Sequence, residues 1–94
     1  MRLDKFLKVS RLIKRRTVAK AVVEGGRVRV NGREAKPATP VTVGDRIEID
    51  TPWGLSVVVV ERLKETVPAK EAPTLYRVER WASPRDAGED EDGS

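Results

Sequence analysis

The sequence predicts an α+β fold in which two short N-terminal helices pack on a small, mostly antiparallel β-sheet. Apolar residues recur at helical spacing over residues 2–24, and from Arg27 onward the spacing changes to the period of two that is typical of strands. An Asn-Gly pair at residues 31–32 and a Gly-Asp pair at residues 44–45 then separate short β-prone segments. Such pairs favour tight turns, so neighbouring strands are expected to run antiparallel.

The first helix is predicted over residues 2–9, because Leu3, Phe6 and Leu7 share one face at the spacing i, i+3, i+4. The pattern then breaks, which indicates a connector over residues 10–16. Its two adjacent aliphatic residues are expected to reach into the core.

The second helix is predicted over residues 18–24, where Val18 and Val22 belong to a second apolar stripe. Thr17 is the expected N-cap, since its hydroxyl can accept a hydrogen bond from a free backbone N–H of the first turn. The glycine pair at 25–26 is expected to end this helix.

The remainder of the chain predicts short strands separated by turns. The segment at 55–63 carries valines on both faces, which favours a central strand or one covered on both sides. Residues 51–54 are predicted to form the turn before this strand, with Trp53 as a packed residue. Residues 64–73 are predicted to form a loop. The predicted strands are 27–30, 34–36, 46–49, 55–63 and 74–81.

Composition limits the chain to one small domain, predicted over residues 1–81, followed by a disordered acidic tail over residues 82–94. The chain contains no Cys and no His, so it has no disulfide framework, no thiolate metal site and no histidine general base. We therefore expect a protein that is not an enzyme and that needs no cofactor or metal.

No segment resembles a signal peptide or a membrane span. The longest wholly apolar run, at residues 57–60, is far below the roughly 20 residues that a membrane helix needs. The sequence therefore predicts a cytoplasmic protein without a membrane partner.

The charges are strongly segregated along the chain. Residues 1–36 contain twelve Lys or Arg and three Asp or Glu, a net charge of +9, whereas residues 81–94 have a net charge of −4. A run of cations is often only a solvated face, but so dense a concentration of charge in a small domain favours binding of a polyanion. We expect eight residues to contact nucleic acid: Arg2, Lys5, Lys8, Arg11, Lys14, Arg15, Arg16 and Lys20.

RNA is a better candidate than DNA. No segment is long enough for a recognition helix of the DNA major groove, and the few aromatic residues do not form an evident series of stacking platforms. Recognition of the shape and phosphates of a folded RNA is therefore expected. Asp4 lies among these cations and is expected to complement the helix N-terminus and to orient the neighbouring arginines.

Several short motifs together resemble a known RNA-binding domain. They are Arg2-Leu3-Asp4, Arg16 ahead of Ala19, Gly26, Val28, Val30-Asn31-Gly32, a proline-containing loop and Val43-Gly44-Asp45. This pattern resembles the S4-type RNA-binding domain over about residues 1–80. The opening residues are most similar to small stand-alone S4 proteins that associate with the ribosome.

The resemblance implies a function in ribosome-associated quality control. Proteins of this kind bind the large ribosomal subunit through its ribosomal RNA, hold the peptidyl-tRNA of a stalled ribosome in the P site, and act with a partner that adds alanine residues to the nascent chain. The resemblance makes Arg2 and Arg16 the first residues to test, and the chain is expected to be a monomer.

Three alternatives stay open at this point, one of which is a non-RNA interaction module that uses the acidic tail. The chain could be a ribosome-assembly or RNA-chaperone factor that binds ribosomal RNA without tRNA. The less favoured alternative is an accessory domain of an RNA-modifying enzyme, and no catalytic domain follows residue 81.

Overall fold

The fold consists of two α-helices, a five-stranded antiparallel sheet and a short 3-10 helix within residues 1–82, the part of the chain that the computed structural model describes. The predicted α+β fold is confirmed. The predicted disordered tail begins at residue 82, and its residues 83–94 lie outside the described part of the chain. The elements are α1 (Leu3–Val9), α2 (Arg16–Glu24), β1 (Val28–Val30), β2 (Arg33–Glu34), β3 (Arg46–Thr51), β4 (Gly54–Val60), a 3-10 helix (Ala69–Leu75) and β5 (Tyr76–Arg80).

The strands lie in the order β2-β1-β3-β4-β5, and every neighbouring pair is antiparallel. The β1–β2 hairpin turns through Asn31 and Gly32, which both have positive φ angles, of 53° and 83°. A two-residue turn of this kind matches the twist of antiparallel strands. The Asn31 side chain also ties the turn to the start of β3, because it donates to Asp45 Oδ1 and accepts from the backbone N–H of Arg46.

The core lies between the two helices and the sheet. Leu3, Phe6 and Leu7 of α1 are completely buried, as the helical spacing predicts. Ala19 and Val23 form the buried face of α2. The strands contribute alternate residues to the same cluster, including Val28, Ile47 and Val58.

Strand β4 is central, as its valines predict. It pairs with β3 on one side and β5 on the other, and its consecutive residues Val57 and Val58 are both buried. Adjacent strand residues point to opposite faces, so both faces of the sheet are covered at this position.

The second helix begins earlier than the sequence predicts. Arg15, not Thr17, occupies the N-cap position with an extended backbone, and α2 starts at Arg16. The backbone N–H of Ala19 donates to the Arg15 carbonyl at 2.9 Å, which closes a helical turn before Thr17 could act as a cap. No side-chain cap hydrogen bond forms at this end of the helix, so the predicted role of Thr17 is wrong.

The predicted loop at 64–73 is only partly a loop, because the 3-10 helix occupies its second half. This helix buries Ala72 and Leu75, and the Leu75 carbonyl accepts hydrogen bonds from the backbone N–H groups of Glu61 and Arg62. Strand β4 ends at Val60, so it is shorter than predicted, and β5 begins at Tyr76.

The Thr51–Gly54 turn holds Trp53 differently from the prediction of a packed residue. The Thr51 hydroxyl accepts from the Trp53 backbone N–H and donates to the Gly54 carbonyl, which orders the turn. The Trp53 side chain is nevertheless 50% exposed. The prediction failed because the turn backbone is held by Thr51 without help from the indole.

Substitution of Leu75 by Ala tests whether the 3-10 helix is part of the folded core. Leu75 is fully buried, so Leu75→Ala should lower the free energy of unfolding by about 2–5 kcal/mol, measured by urea denaturation. Val43→Ala is the control: Val43 is 57% exposed, and a change within about 0.5 kcal/mol is expected. Equal effects of the two variants would contradict the docked position of this helix.

Candidate nucleic-acid interface

A buried carboxylate lies at the centre of the cationic surface. Asp4, in the first turn of α1, has a side chain that is 2% exposed. Arg2 donates to both of its oxygens, from Nε to Oδ1 and from Nη2 to Oδ2, each at 3.2 Å. The Nε atom of Arg16 lies 3.6 Å from Oδ2. Asp4 therefore holds together two guanidinium groups that come from different elements, which confirms its predicted role in orienting arginines.

Both guanidinium groups remain accessible. The Arg2 side chain is 51% exposed and the Arg16 side chain is 50% exposed, although their common carboxylate is buried. An arginine has five N–H donors, and the contacts to Asp4 use only some of them. The remaining donors of both side chains are available for an anion.

The backbone before α1 is fixed by the loop at residues 37–41. Arg2 forms an isolated β-bridge with Pro40, and its neighbours on both sides are hydrogen-bonded to the same loop. The Leu3 N–H donates to the Thr39 carbonyl at 2.8 Å, and the Val41 N–H donates to the Met1 carbonyl at 2.9 Å. The backbone of Arg2 is therefore held in place by this loop, although the residue lies near the N-terminus.

Two opposing influences act on the pKa of Asp4. Burial raises it, but the hydrogen bonds from Arg2 and the positive charges of Arg16 and Arg2 lower it by more, with a smaller contribution from the Lys5 backbone N–H. The net result is a pKa below the ordinary value of 3.8. Asp4 is therefore ionised at neutral pH, as its pairing with two arginines requires.

The connector, residues 10–15 in the structure, is anchored by its apolar residues and by Ser10. Leu12 and Ile13 pack against the core, as predicted, and Ser10 is buried with its hydroxyl bonded to the Leu7 carbonyl. Arg11 has a positive φ of 61°, a conformation that a non-glycine residue adopts at some cost. The exposed residues Arg11, Lys14 and Arg15 are thus presented from an ordered backbone.

The eight predicted contact residues fall into groups. Arg2 and Arg16 meet at Asp4, and Lys20 lies one turn beyond Arg16 on α2, where residues four apart are neighbours. Lys5 is different, because within residues 1–82 its ammonium group forms an ion pair with Glu65 and lowers the pKa of that carboxyl. Salt bridges to carboxylates of residues 1–82 are absent for Lys8, Arg11, Lys14, Arg15 and Lys20. Their contact with RNA stays a prediction.

The arginines of the sheet are largely neutralised by carboxylates. Arg29 of β1 donates to both oxygens of Asp50, at 2.9 and 3.1 Å, and also to Glu48. These hydrogen bonds raise the pKa of Arg29 and lower that of Asp50. Arg46 of β3 pairs with Glu79 of β5 through one contact, from Nε to Oε1 at 3.0 Å. The sequence did not reveal these pairs, because they depend on the register between strands.

Two kinds of feature are absent from the described residues. Residues 1–82 hold no group of three or more metal-ligating side chains placed to bind a metal ion. None of the helices in this part of the chain is long and apolar enough to cross a membrane.

The chain is similar to a known domain family and to curated proteins. The model of the S4 domain matches residues 1–47, which contain α1, the connector, α2 and the first hairpin. Over 80 residues the chain is 56% identical to an RQC P-site tRNA stabilizing factor of Halalkalibacterium halodurans, a match that covers 85% of this chain and 91% of the relative.

More distant relatives share the fold. Heat shock protein 15 of Escherichia coli K12 is 35% identical over 77 residues, which are 81% of this chain and 58% of that protein. The trimeric structure of Vibrio cholerae Heat Shock Protein 15 is similar with a TM-score of 0.77 at 37% identity, covering 83% of this chain and 80% of that one.

Asp4→Asn should destabilise the fold in a pH-dependent way. Because the pKa of Asp4 is lowered on folding, its stabilising effect is complete above the ordinary carboxyl pKa of 3.8 and declines as the pH falls through the lower pKa of the folded state. We expect Asp4→Asn to cost about 1–2 kcal/mol at pH 7, since its partners are half exposed.

The measurement is the free energy of unfolding of both proteins, by urea denaturation at pH 7 and at several values down to pH 3. The difference between wild type and Asp4→Asn should shrink toward the acidic end. A difference that is constant over this range would show that the carboxylate charge does not stabilise the fold.

Proposed function

We infer the function of this chain from its family: it belongs to the S4 domain family, which also contains the RQC P-site tRNA stabilizing factors. We propose that it is an RNA-binding factor of ribosome-associated quality control. It binds the large ribosomal subunit that carries a stalled peptidyl-tRNA and stabilises the tRNA in the P site while alanine residues are added to the nascent chain.

The Asp4 cluster, formed by Asp4, Arg2 and Arg16, is the observation that carries this proposal. Two half-exposed guanidinium groups are positioned by a buried carboxylate before any ligand arrives. Arginine binds phosphate oxygens with a planar pair of donors, and groups that are already positioned lose less conformational freedom on binding. The cluster is therefore suited to hold a phosphate of folded RNA.

The neighbouring cations extend this surface. Arg11, Lys14 and Arg15 of the connector are exposed, and Lys20 continues the surface along α2. The sheet contributes less positive potential, because three of its five arginines, Arg29, Arg46 and Arg77, are paired with carboxylates. A polyanion is therefore attracted to the helical side of the domain rather than to the sheet.

The proposed activity is binding, not catalysis. A factor that contacts both ribosomal RNA and tRNA favours the tRNA position in which both sets of contacts form. The preference for that position equals the difference in the factor's binding free energy between the two tRNA positions. In the proposed site the Asp4 carboxylate is engaged by two arginines and is not available as a base. The same proposal includes three further points. The chain acts with a partner protein that adds the alanine residues, it is a monomer, and it is located in the cytoplasm.

Sequencing of the RNA bound to the tagged protein distinguishes this role from ribosome assembly. Large subunits that carry tRNA should be enriched if the chain acts in quality control. Enrichment of ribosomal RNA from immature subunits without tRNA would favour the assembly role, and pseudouridine formation by the purified chain would contradict a pure binding function.

Arg16→Ala and Arg2→Ala should each weaken binding to the large subunit without unfolding the protein. Arg77→Ala is the matched control, since it removes an arginine of similar exposure, 60% against 50% for Arg16, that lies on the edge strand β5 and is paired with Glu61. Affinities measured by sedimentation with purified subunits, together with thermal unfolding of each variant, provide the test. Loss of binding in Arg77→Ala but not in Arg16→Ala would show that the sheet, and not the helical side, contacts the ribosomal subunit. This result would contradict the proposed interface.

The salt dependence of binding tests the phosphate contacts directly. If about six phosphates are contacted, the affinity should fall on the order of a thousandfold between low and physiological salt. Arg16→Ala should reduce the slope of log affinity against log salt by about one, whereas Arg77→Ala should leave it unchanged. Binding that is insensitive to salt would contradict the mechanism.

A further inference from the structure

An apolar groove lies beside the cationic surface. Its volume is about 310 Å³, and it separates the connector and α2 from the β3–β4 turn and the end of β5. One wall is formed by Leu12 and Ile13 of the connector with Val18 and Val22 of α2, and the other includes Trp53 and Trp81. We call it the tryptophan groove.

Large apolar side chains are unusually exposed in this groove. Trp53 is 50% exposed, Trp81 is 43% exposed and Val18 is 45% exposed. The chain contains only two tryptophans, and both line the groove. An exposed apolar site on a charged domain commonly marks a binding surface.

The groove is continuous with the predicted RNA-binding residues. Leu12 and Ile13 lie in the sequence between Arg11 and Lys14, so the same ordered backbone lines the groove and carries the exposed cations. On α2, Val18 and Val22 flank the buried stripe on the side opposite to Arg16. The groove therefore adjoins the cations of the connector, whereas the Asp4 cluster lies on the other side of α2. We expect an RNA strand that is held by the connector to reach the groove.

The charge of the surroundings favours an anionic ligand. Residues 1–82 contain eighteen Lys or Arg and ten Asp or Glu, a net charge of +8. Arg27 lies in the wall of the groove, and the carboxylate of Asp50, the acidic residue in that wall, is already bonded to Arg29. An RNA strand meets this charge requirement and also carries flat aromatic bases.

We propose that the tryptophan groove binds an unpaired nucleobase of the RNA that the neighbouring cations hold by its phosphates. Indole rings stack on any base, and the aliphatic wall excludes water from the opposite side. The inference rests on the proposed function, because the phosphate contacts bring the base to the groove.

Two RNA probes of equal length test this inference: a short single-stranded oligonucleotide of adenosine nucleotides and its abasic counterpart, which has the same phosphates but no bases. Because both tryptophans line the groove, tryptophan emission, excited at a wavelength that Tyr76 does not absorb, reports on this site. We expect the intact oligonucleotide to quench the emission and to bind about five- to a hundredfold more tightly than the abasic one.

Variants locate the effect in the groove. Trp81→Ala and Trp53→Ala should each reduce the difference between the two probes, and thermal unfolding verifies that these exposed positions tolerate the change. Val78→Ala is the control, since Val78 is 48% exposed but does not line the groove. Arg16→Ala should lower the affinity for both probes by the same factor, so this variant tests the proposed function separately.

Equal affinity for the intact and abasic probes, or emission that RNA does not change, would overturn the inference even if large-subunit binding depends on Arg16. A shift of the emission with protein concentration in the absence of RNA, accompanied by self-association in sedimentation, would assign the groove to a second copy of the chain and would also overturn it.

Discussion

The buried carboxylate of Asp4 is the interaction on which the candidate site depends. A carboxylate removed from water is costly unless it is paired and hydrogen-bonded. Asp4 is buried because α1 packs its apolar face into the core, and Arg2 and Arg16 satisfy the resulting charge. Packing of the first helix therefore determines where two arginines of the surface must lie.

This constraint links distant parts of the fold. Arg2 is held through a bridge to Pro40, and Arg16 begins α2, so the cluster depends on the loop after the hairpin and on the helix that follows the connector. The exposed halves of both side chains face outward from this fixed frame. The same interaction thus stabilises the fold and positions the donors that we propose for RNA.

The distribution of ion pairs gives the domain two different sides. On the sheet, cross-strand neighbours such as Arg29 and Asp50 neutralise one another, whereas the cations of the connector have no carboxylate partner among residues 1–82. The positions of the carboxylates relative to the cations therefore indicate the binding surface better than the net charge of a segment does.

Much of this could be predicted from the sequence, because hydrophobic spacing determines which faces are buried. The spacing of Leu3, Phe6 and Leu7 located α1, and the placement of Asp4 among cations indicated its pairing. The start of α2 was missed because its first turn closes through backbone contacts at Arg15 rather than through the hydroxyl of Thr17. The tryptophan groove could not be predicted either, since Trp53 and Trp81 are 28 residues apart in the sequence and only the sheet brings them together.

The most direct test of the central claim is a structure of the chain bound to a large ribosomal subunit that carries peptidyl-tRNA, determined by electron cryo-microscopy. We expect Arg2 and Arg16 to donate to RNA phosphate oxygens while both remain paired with Asp4. A complex in which the Asp4 cluster faces solvent and the sheet contacts the RNA would contradict it.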